Sequence, residues 1–186
     1  VQDKVAAPGK VLTYTGTFLD PLNPDPDDIK FDDIAHALAF ICRYTGHSAK
    51  FYSVAEHSVR ISELLEEREF PKEVLLQGLL HDASEAYLGD ISYPIKHQSD
   101  VGDLFREYED KLMGIIFKKF DLPWPPTEEI KWADKVLLHT EQRDLMPYPN
   151  KHYSLEGYEV LETTIRPWQP EQAEAEFHFR YESLNG

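Results

Sequence analysis

Three segments with the apolar periodicity of helices carry ionisable side chains on or at the end of a face that should be buried, and this restricts the fold more than any other feature of the chain. Val54, His57, Ile61 and Leu64 recur at three- and four-residue spacing, which puts His57 on a core-facing stripe. Ile130, Ala133, Asp134, Leu137 and Leu138 make a second stripe with a carboxylate inside it. Between them, Val74, Leu75, Leu76, Leu79 and Leu80 belong to a segment that is apolar nearly all round, the expected central helix, and it ends in His81-Asp82. A lone core histidine is usually a satisfied structural group. A carboxylate left unpaired in a core is destabilising by roughly several kcal/mol, so three independent segments offering such groups point to one shared interior. Two imidazoles and two carboxylates there suit a divalent cation, with cobalt, manganese, zinc, iron and magnesium as the candidates. The expected ligands are His57, His81, Asp82 and Asp134. Glu85 follows Asp82 by about one helical turn and can face the same cavity without binding the metal, which is what a general acid or base requires.

The remaining pattern is also helical, punctuated by proline. Residues 11–19 are rich in Thr, Tyr and Phe and contain Gly16, which reads as a short strand pair or extended lead-in. Asp20 to Asp28 carries three prolines and reads as a loop. Helices are expected over 32–43, from the Ser53/Glu56 capping signature to about Glu69, from Pro71 to the His81-Asp82 pair, over about 98–120, from Pro126 or Thr127 to about Leu145, and from near Pro170 to Leu184. Leu88 to Pro94 and the stretch around Pro147 and Pro149 read as loops. The expectation is an all-α single domain, 1–186, of about six helices, with residues 1–30 as an extended lead-in to a helical body over 31–186.

A formal net charge of -15 argues against grip on a nucleic-acid polymer, which needs a basic surface to displace counterions. It leaves open a small phosphorylated substrate met by a few cations and one metal. No apolar run approaches the ~20 residues of a membrane-spanning helix, so no membrane partner is expected. Val1 to Lys10 lacks the apolar core of a signal peptide, and the single cysteine, Cys42, rules out an internal disulfide framework. A cytoplasmic location is the expectation.

The order His57, His81-Asp82, Asp134 resembles the HD-domain phosphohydrolase superfamily. The surrounding stretches DIAHAL (33–38), ICRYTGH (41–47), FYSVAEHS (51–58), LLHDASEAYLGDISYPIK (79–96) and WADK (132–135) are similar to its YfbR-like branch, which contains 5'-deoxynucleotidases and phage deoxynucleoside triphosphohydrolases. The resemblance runs from about Asp20 to the C-terminus. It implies an HD-type helical bundle, a metal-dependent nucleotide phosphohydrolase and a homo-oligomer. Carried over by position, His57, His81, Asp82 and Asp134 match the metal ligands and Glu85 the catalytic acidic residue. Asp90 matches an acidic residue near substrate, Lys96 and Lys131 match phosphate-binding positions, and Arg43 matches an arginine at the nucleotide mouth. The 5'-deoxynucleotidase pattern has Arg-Trp where this chain has Arg43-Tyr44, so base or sugar preference does not transfer.

The first expectation is therefore phosphate release from a deoxynucleoside 5'-monophosphate, with triphosphate hydrolysis of the dATP type as the alternative. A nucleotide-binding module without turnover would be expected to lack a ligand or the acidic residue after His81-Asp82, and all are present. A purely structural buried polar network would not need lysines at 96 and 131. His36 is read as packed, His47 as orienting the mouth, and His97, His139, His152 and His178 as surface or packing residues. Arg143 and Asp144 are read as pairing with neighbours, and Trp168 as packing the last helix onto the body.

Overall fold

The structure is a computed structural model that describes residues 9–147 and 156–186. Pro149 and His152 lie outside the described residues. Among the described residues the chain is all-α apart from one hairpin. β1 (Val11–Leu12) pairs antiparallel with β2 (Phe18–Leu19), Val11 opposite Leu19 and Leu12 opposite Phe18. Gly16 sits in the turn at φ 86°, a conformation a side chain would strain. The hairpin is tied to the body by Asp33, whose carboxylate accepts from the Thr15 amide at 2.7 Å and the Thr15 hydroxyl at 3.0 Å. The proline-rich loop that follows holds one 3-10 turn, Pro26–Asp28.

The helices are α1 (Phe31–Phe40), α2 (Val54–Glu67), α3 (Lys72–Leu80), α4 (Glu85–Leu88), α5 (Tyr93–Gln98), α6 (Asp100–Lys119), α7 (Glu128–Leu145) and α8 (Pro170–Asn185). The centre is α2 with α3. Every residue from Val74 to Leu80 is buried, as the all-round apolar pattern requires. Gly78 lets α2 come close: a Cβ there would sit 2.6 Å from Leu65 Cδ1 and 3.1 Å from Ile61 Cγ2. Ile34 and Leu38 from α1, Leu112 and Phe117 from α6, Leu137 from α7 and Phe177 from α8 complete a core closed to solvent. No helix among the described residues is long and apolar enough to cross a membrane.

The end of the first helix and the region over 88–94 differ from the sequence expectation, and both bear on the site. The first helix ends at Phe40 rather than continuing to residue 43. Ile41 and Cys42 are instead extended against the entry to α2, and Arg43 opens a short 3-10 turn, Arg43–Gly46. The Arg43 amide donates to the Tyr52 carbonyl at 2.9 Å, and the Val54 amide donates to the Ile41 carbonyl at 3.1 Å. The region read as a loop over 88–94 contains the end of α4 and the start of α5. Pro94 does not end a helix there: it occupies the first turn of α5, where a missing N–H removes no intrahelical bond.

The capping signature before α2 is half realised. Ser53 Oγ accepts the Glu56 amide at 3.0 Å. The Glu56 carboxylate, fully buried, instead takes Arg60 at 2.7 Å and the Trp168 amide at 2.7 Å. Trp168 packs under the Arg60 guanidinium, 4.7 Å from ring centroid to Cζ. Arg143 donates to the Leu161 and Thr163 carbonyls at 2.7 and 2.9 Å, and Asp144 accepts the Ile165 amide at 2.8 Å. These bonds tie residues 161–168 to α2 and α7.

Candidate metal centre and its cleft

The buried end of α3 makes the site. The helix stops at Leu80, and His81 and Asp82 follow in a run of turns before α4. His81 Nδ1 lies 2.8 Å from the Gly78 carbonyl, so as a donor it leaves Nε2 with its lone pair free. His57, fully buried on α2, is oriented through another partner: its Nδ1 lies 2.6 Å from Glu141 Oε1 on α7. Both Nε2 atoms are buried without a hydrogen-bond partner. They point into one space, with ring centroids 5.3 Å apart. Asp82 Oδ2 stands 3.1 Å from His81 Nε2 and 3.9 Å from His57 Nε2.

His57, His81 and Asp82 each offer a donor atom within 4.8 Å of the others, a group that can hold a metal ion. Asp134 on α7 brings Oδ1 to 3.2 Å from His57 Nε2. Its side chain is 45% exposed, so the apolar stripe that carries it opens here into a cleft rather than closing on a core. Two orphaned imidazole nitrogens beside carboxylates, each imidazole oriented through its other nitrogen, are the donor set and outer shell that a divalent cation uses.

Glu141, which is not among the residues expected from the sequence, organises the site. It is completely buried, and besides His57 it accepts the Tyr44 hydroxyl at 2.7 Å and Arg43 Nε at 3.3 Å. Burial works against its charge, but Arg43 and His57 outweigh burial and hold its carboxyl at about 2. For His57, burial and the Arg43 charge favour the neutral ring; Glu141 and Asp134 outweigh them and raise it to about 9 in the absence of a cation. Asp82 is opposed by burial yet held well below the usual carboxylate range by His81, His57 and Arg43. Asp134 shifts the same way, mainly through His57 against the effect of burial. The signal for Glu141 was in the sequence: it falls seven residues after Asp134, two helical turns along the same stripe.

Glu85 opens α4, buried, with Oε2 lacking any hydrogen-bond partner. Burial first, then the charges of Asp82 and Asp90, push its carboxyl well above the usual range. Asp90 beside it is also pushed above the usual range, by burial first and then by the Asp82 charge.

A cleft of about 550 Å³ adjoins the cluster, and its walls include Arg43, Asp90, Lys96 and Asp134. Arg43 reaches it from the start of the 3-10 turn that follows Cys42, with its Nη1 3.5 Å from Asp82 Oδ2. Tyr44 and Thr45 follow with φ of 58° and 52°, a left-handed turn that returns the chain toward the cleft mouth and His47. Lys96 on α5 pairs with Glu109 of α6 at 2.6 Å. The lining also holds Tyr93, Leu138 and Met146. His97, read as a surface or packing residue, lines it as well, its ring 4.4 Å from that of Tyr93.

Lys131 is placed differently. It points outward on α7, 63% exposed, and pairs with Glu128 at 2.7 Å; it is not part of the cleft wall. His36 lies elsewhere, stacked on Tyr14 at 3.7 Å and bound to Glu174 at 3.2 Å.

No protein-family model matches the chain. Two relatives do. The uncharacterized protein YfdR of Escherichia coli (strain K12) is 36% identical over 179 residues, which cover 94% of this chain and 95% of that protein. The uncharacterized protein RCAP_rcc00048 of Rhodobacter capsulatus is 37% identical over 139 residues, 70% of each chain. Neither name carries an activity.

Proposed function

The chain belongs to the family of Escherichia coli YfdR, and for a member with this site we propose a metal-dependent nucleotide phosphohydrolase of the HD-domain type. The observation that carries the reading is the pair of buried Nε2 atoms of His57 and His81, which make no hydrogen bond and face the carboxylates of Asp82 and Asp134, beside a cleft walled by Arg43 and Lys96. His57, His81, Asp82 and Asp134 would hold the cation, Asp134 from the cleft side. Bound there, a divalent ion supplies Lewis acidity toward water and phosphate oxygens.

The chain's own groups supply the rest. Arg43 and Lys96 offer positive charge to a phosphate entering from the cleft. Glu85, whose carboxyl burial pushes toward the protonated form, would give a proton to a leaving oxygen or, when ionised, take one from attacking water. Tyr93, His97, Leu138 and Met146 present the aromatic and apolar part of the lining, which suits the nucleoside end of the substrate. Release of phosphate from a deoxynucleoside 5'-monophosphate is the preferred reaction. The cleft volume of about 550 Å³ lies within the ordinary range for small-molecule sites and does not demand a longer triphosphate.

The test is phosphate release from a panel of deoxynucleoside mono- and triphosphates, with cobalt, manganese, zinc, iron and magnesium supplied in turn. The reading expects metal-dependent release of inorganic phosphate from at least one monophosphate. Release of tripolyphosphate from triphosphates alone would favour the alternative reaction. No release from any nucleotide with any metal would overturn the proposal.

A further inference from the structure

The first half of α6 buries little. Between Asp100 and Lys111 only Gly102 is buried, while Val101 and Leu104 stand 69% and 54% exposed. Its packing is spent on α5. Gly102, Phe105, Arg106 and Glu109 follow at three-, one- and three-residue steps and so share one helical face. All four act on Lys96. A Cβ at Gly102 would lie 2.3 Å from the Lys96 carbonyl oxygen, so only glycine allows this approach. Arg106 donates to that same carbonyl. The Lys96 ammonium lies 6.0 Å from the Phe105 ring centroid and donates to Glu109 Oε1 at 2.6 Å. Two residues therefore fix the Lys96 backbone and two address its ammonium. The pair is largely withdrawn from water, its side chains 22% and 17% exposed.

Lys96 lines the cleft, and Arg43 is the other Lys or Arg side chain in that lining among the described residues. Each is held by a shielded glutamate, Arg43 by Glu141 and Lys96 by Glu109. We propose that Glu109 is the positioning residue that holds the Lys96 ammonium at the cleft wall for the phosphate of the substrate. The inference rests on the phosphohydrolase reading of the site. Lysine is a point charge on a flexible four-carbon stem, and ordering it on binding is unfavourable. Glu109 orders it beforehand. An ammonium has three donors; Glu109 takes one and leaves two for phosphate oxygens.

A double-mutant cycle on the full chain loaded with manganese tests this, using Glu109→Gln, Lys96→Ala and both together. Two readouts are taken: the dissociation constant of inorganic phosphate by calorimetry, and KM and kcat for a monophosphate that the parent hydrolyses. Glu109→Gln should weaken phosphate and raise KM roughly tenfold, with metal content unchanged. Adding it to Lys96→Ala should change phosphate affinity less than twofold, because the group it positions is gone. Glu109→Asp, which keeps the charge, should recover part of the loss. Should Glu109→Gln fail to fold by thermal melt, the cycle is read with Glu109→Asp, whose loss must then vanish in the Lys96→Ala background. Unchanged phosphate affinity in Glu109→Gln, losses that simply add, or a parent that binds no phosphate would each overturn the inference. A parent that binds phosphate and shows the coupling but hydrolyses nothing would sink the enzymatic reading and leave the role of Glu109 standing.

Discussion

Glu141 decides what His57 can do. With its Nδ1 engaged at 2.6 Å by a fully buried carboxylate, the imidazole has one nitrogen left, and that nitrogen faces Asp82 and Asp134. Such outer partners orient a ligand and raise its basicity, and losing one typically weakens metal binding by about 10–100-fold. Glu141→Gln should therefore lower affinity by that amount in a competition with a chromogenic chelator, while His57, His81 and Asp82 remain; unchanged affinity would contradict the role. Glu85 belongs to the chemistry rather than the ligand set. Glu85→Gln should keep its metal by elemental analysis and lose about 10²–10⁴-fold in turnover; loss of the metal instead would make Glu85 a ligand. At this scale His57, His81, Asp82 and Glu85 were legible because ionisable groups at helical spacing on apolar faces are conspicuous. Glu141 was legible by the same rule, one step further along the stripe than Leu138. Lys131 shows the limit of spacing: three residues from Asp134 is near enough to share a face, yet its long side chain extends to solvent and Glu128.

α5 is the element that the pattern hid. Six residues are too few for periodicity to register, and Pro94 within them reads as a break unless it is known to lie in a first turn. The longer helices were readable because each buries a stripe. Their ends were less so: α1 stops early because Ile41 to Arg43 pair with the approach to α2, a tertiary contact that no local signal announces. α5 is held against α6 by the close approach at Gly102 as well as by side chains. Gly102→Ala would place a methyl within 2.3 Å of the Lys96 carbonyl oxygen and 2.4 Å of the Ile95 oxygen, which the backbone must yield to. The expected loss is about 1–3 kcal/mol, the usual range for overpacking, read from the urea midpoint. A neutral effect would mean that α5 is free to shift, and the account of Lys96 would fall with it.

Across the whole molecule, 34 acidic residues against 19 basic ones give a chain that repels itself, and the candidate site gathers carboxylates in its interior. A cation bound to the folded state alone offsets that. At about 100 times its dissociation constant it adds about 2.7 kcal/mol, which for a domain of this size raises the melting temperature by roughly 5–10 °C. Chelation should reverse the gain, and a melting curve indifferent to both would show that the site is not loaded in the fold. The all-α class and the central place of α3 were legible from the sequence, since seven consecutive buried residues need a helix enclosed on every side. What was not legible is how three helices meet: the cleft is a tertiary product of where α3 stops and where α7 opens to solvent. The most direct test of that meeting is calorimetric titration of manganese into protein stripped by a chelator, with Asp82→Ala alongside. The account predicts binding near one equivalent in the parent and its loss in the variant; a parent that takes up no metal, or a variant that binds as the parent does, would contradict it.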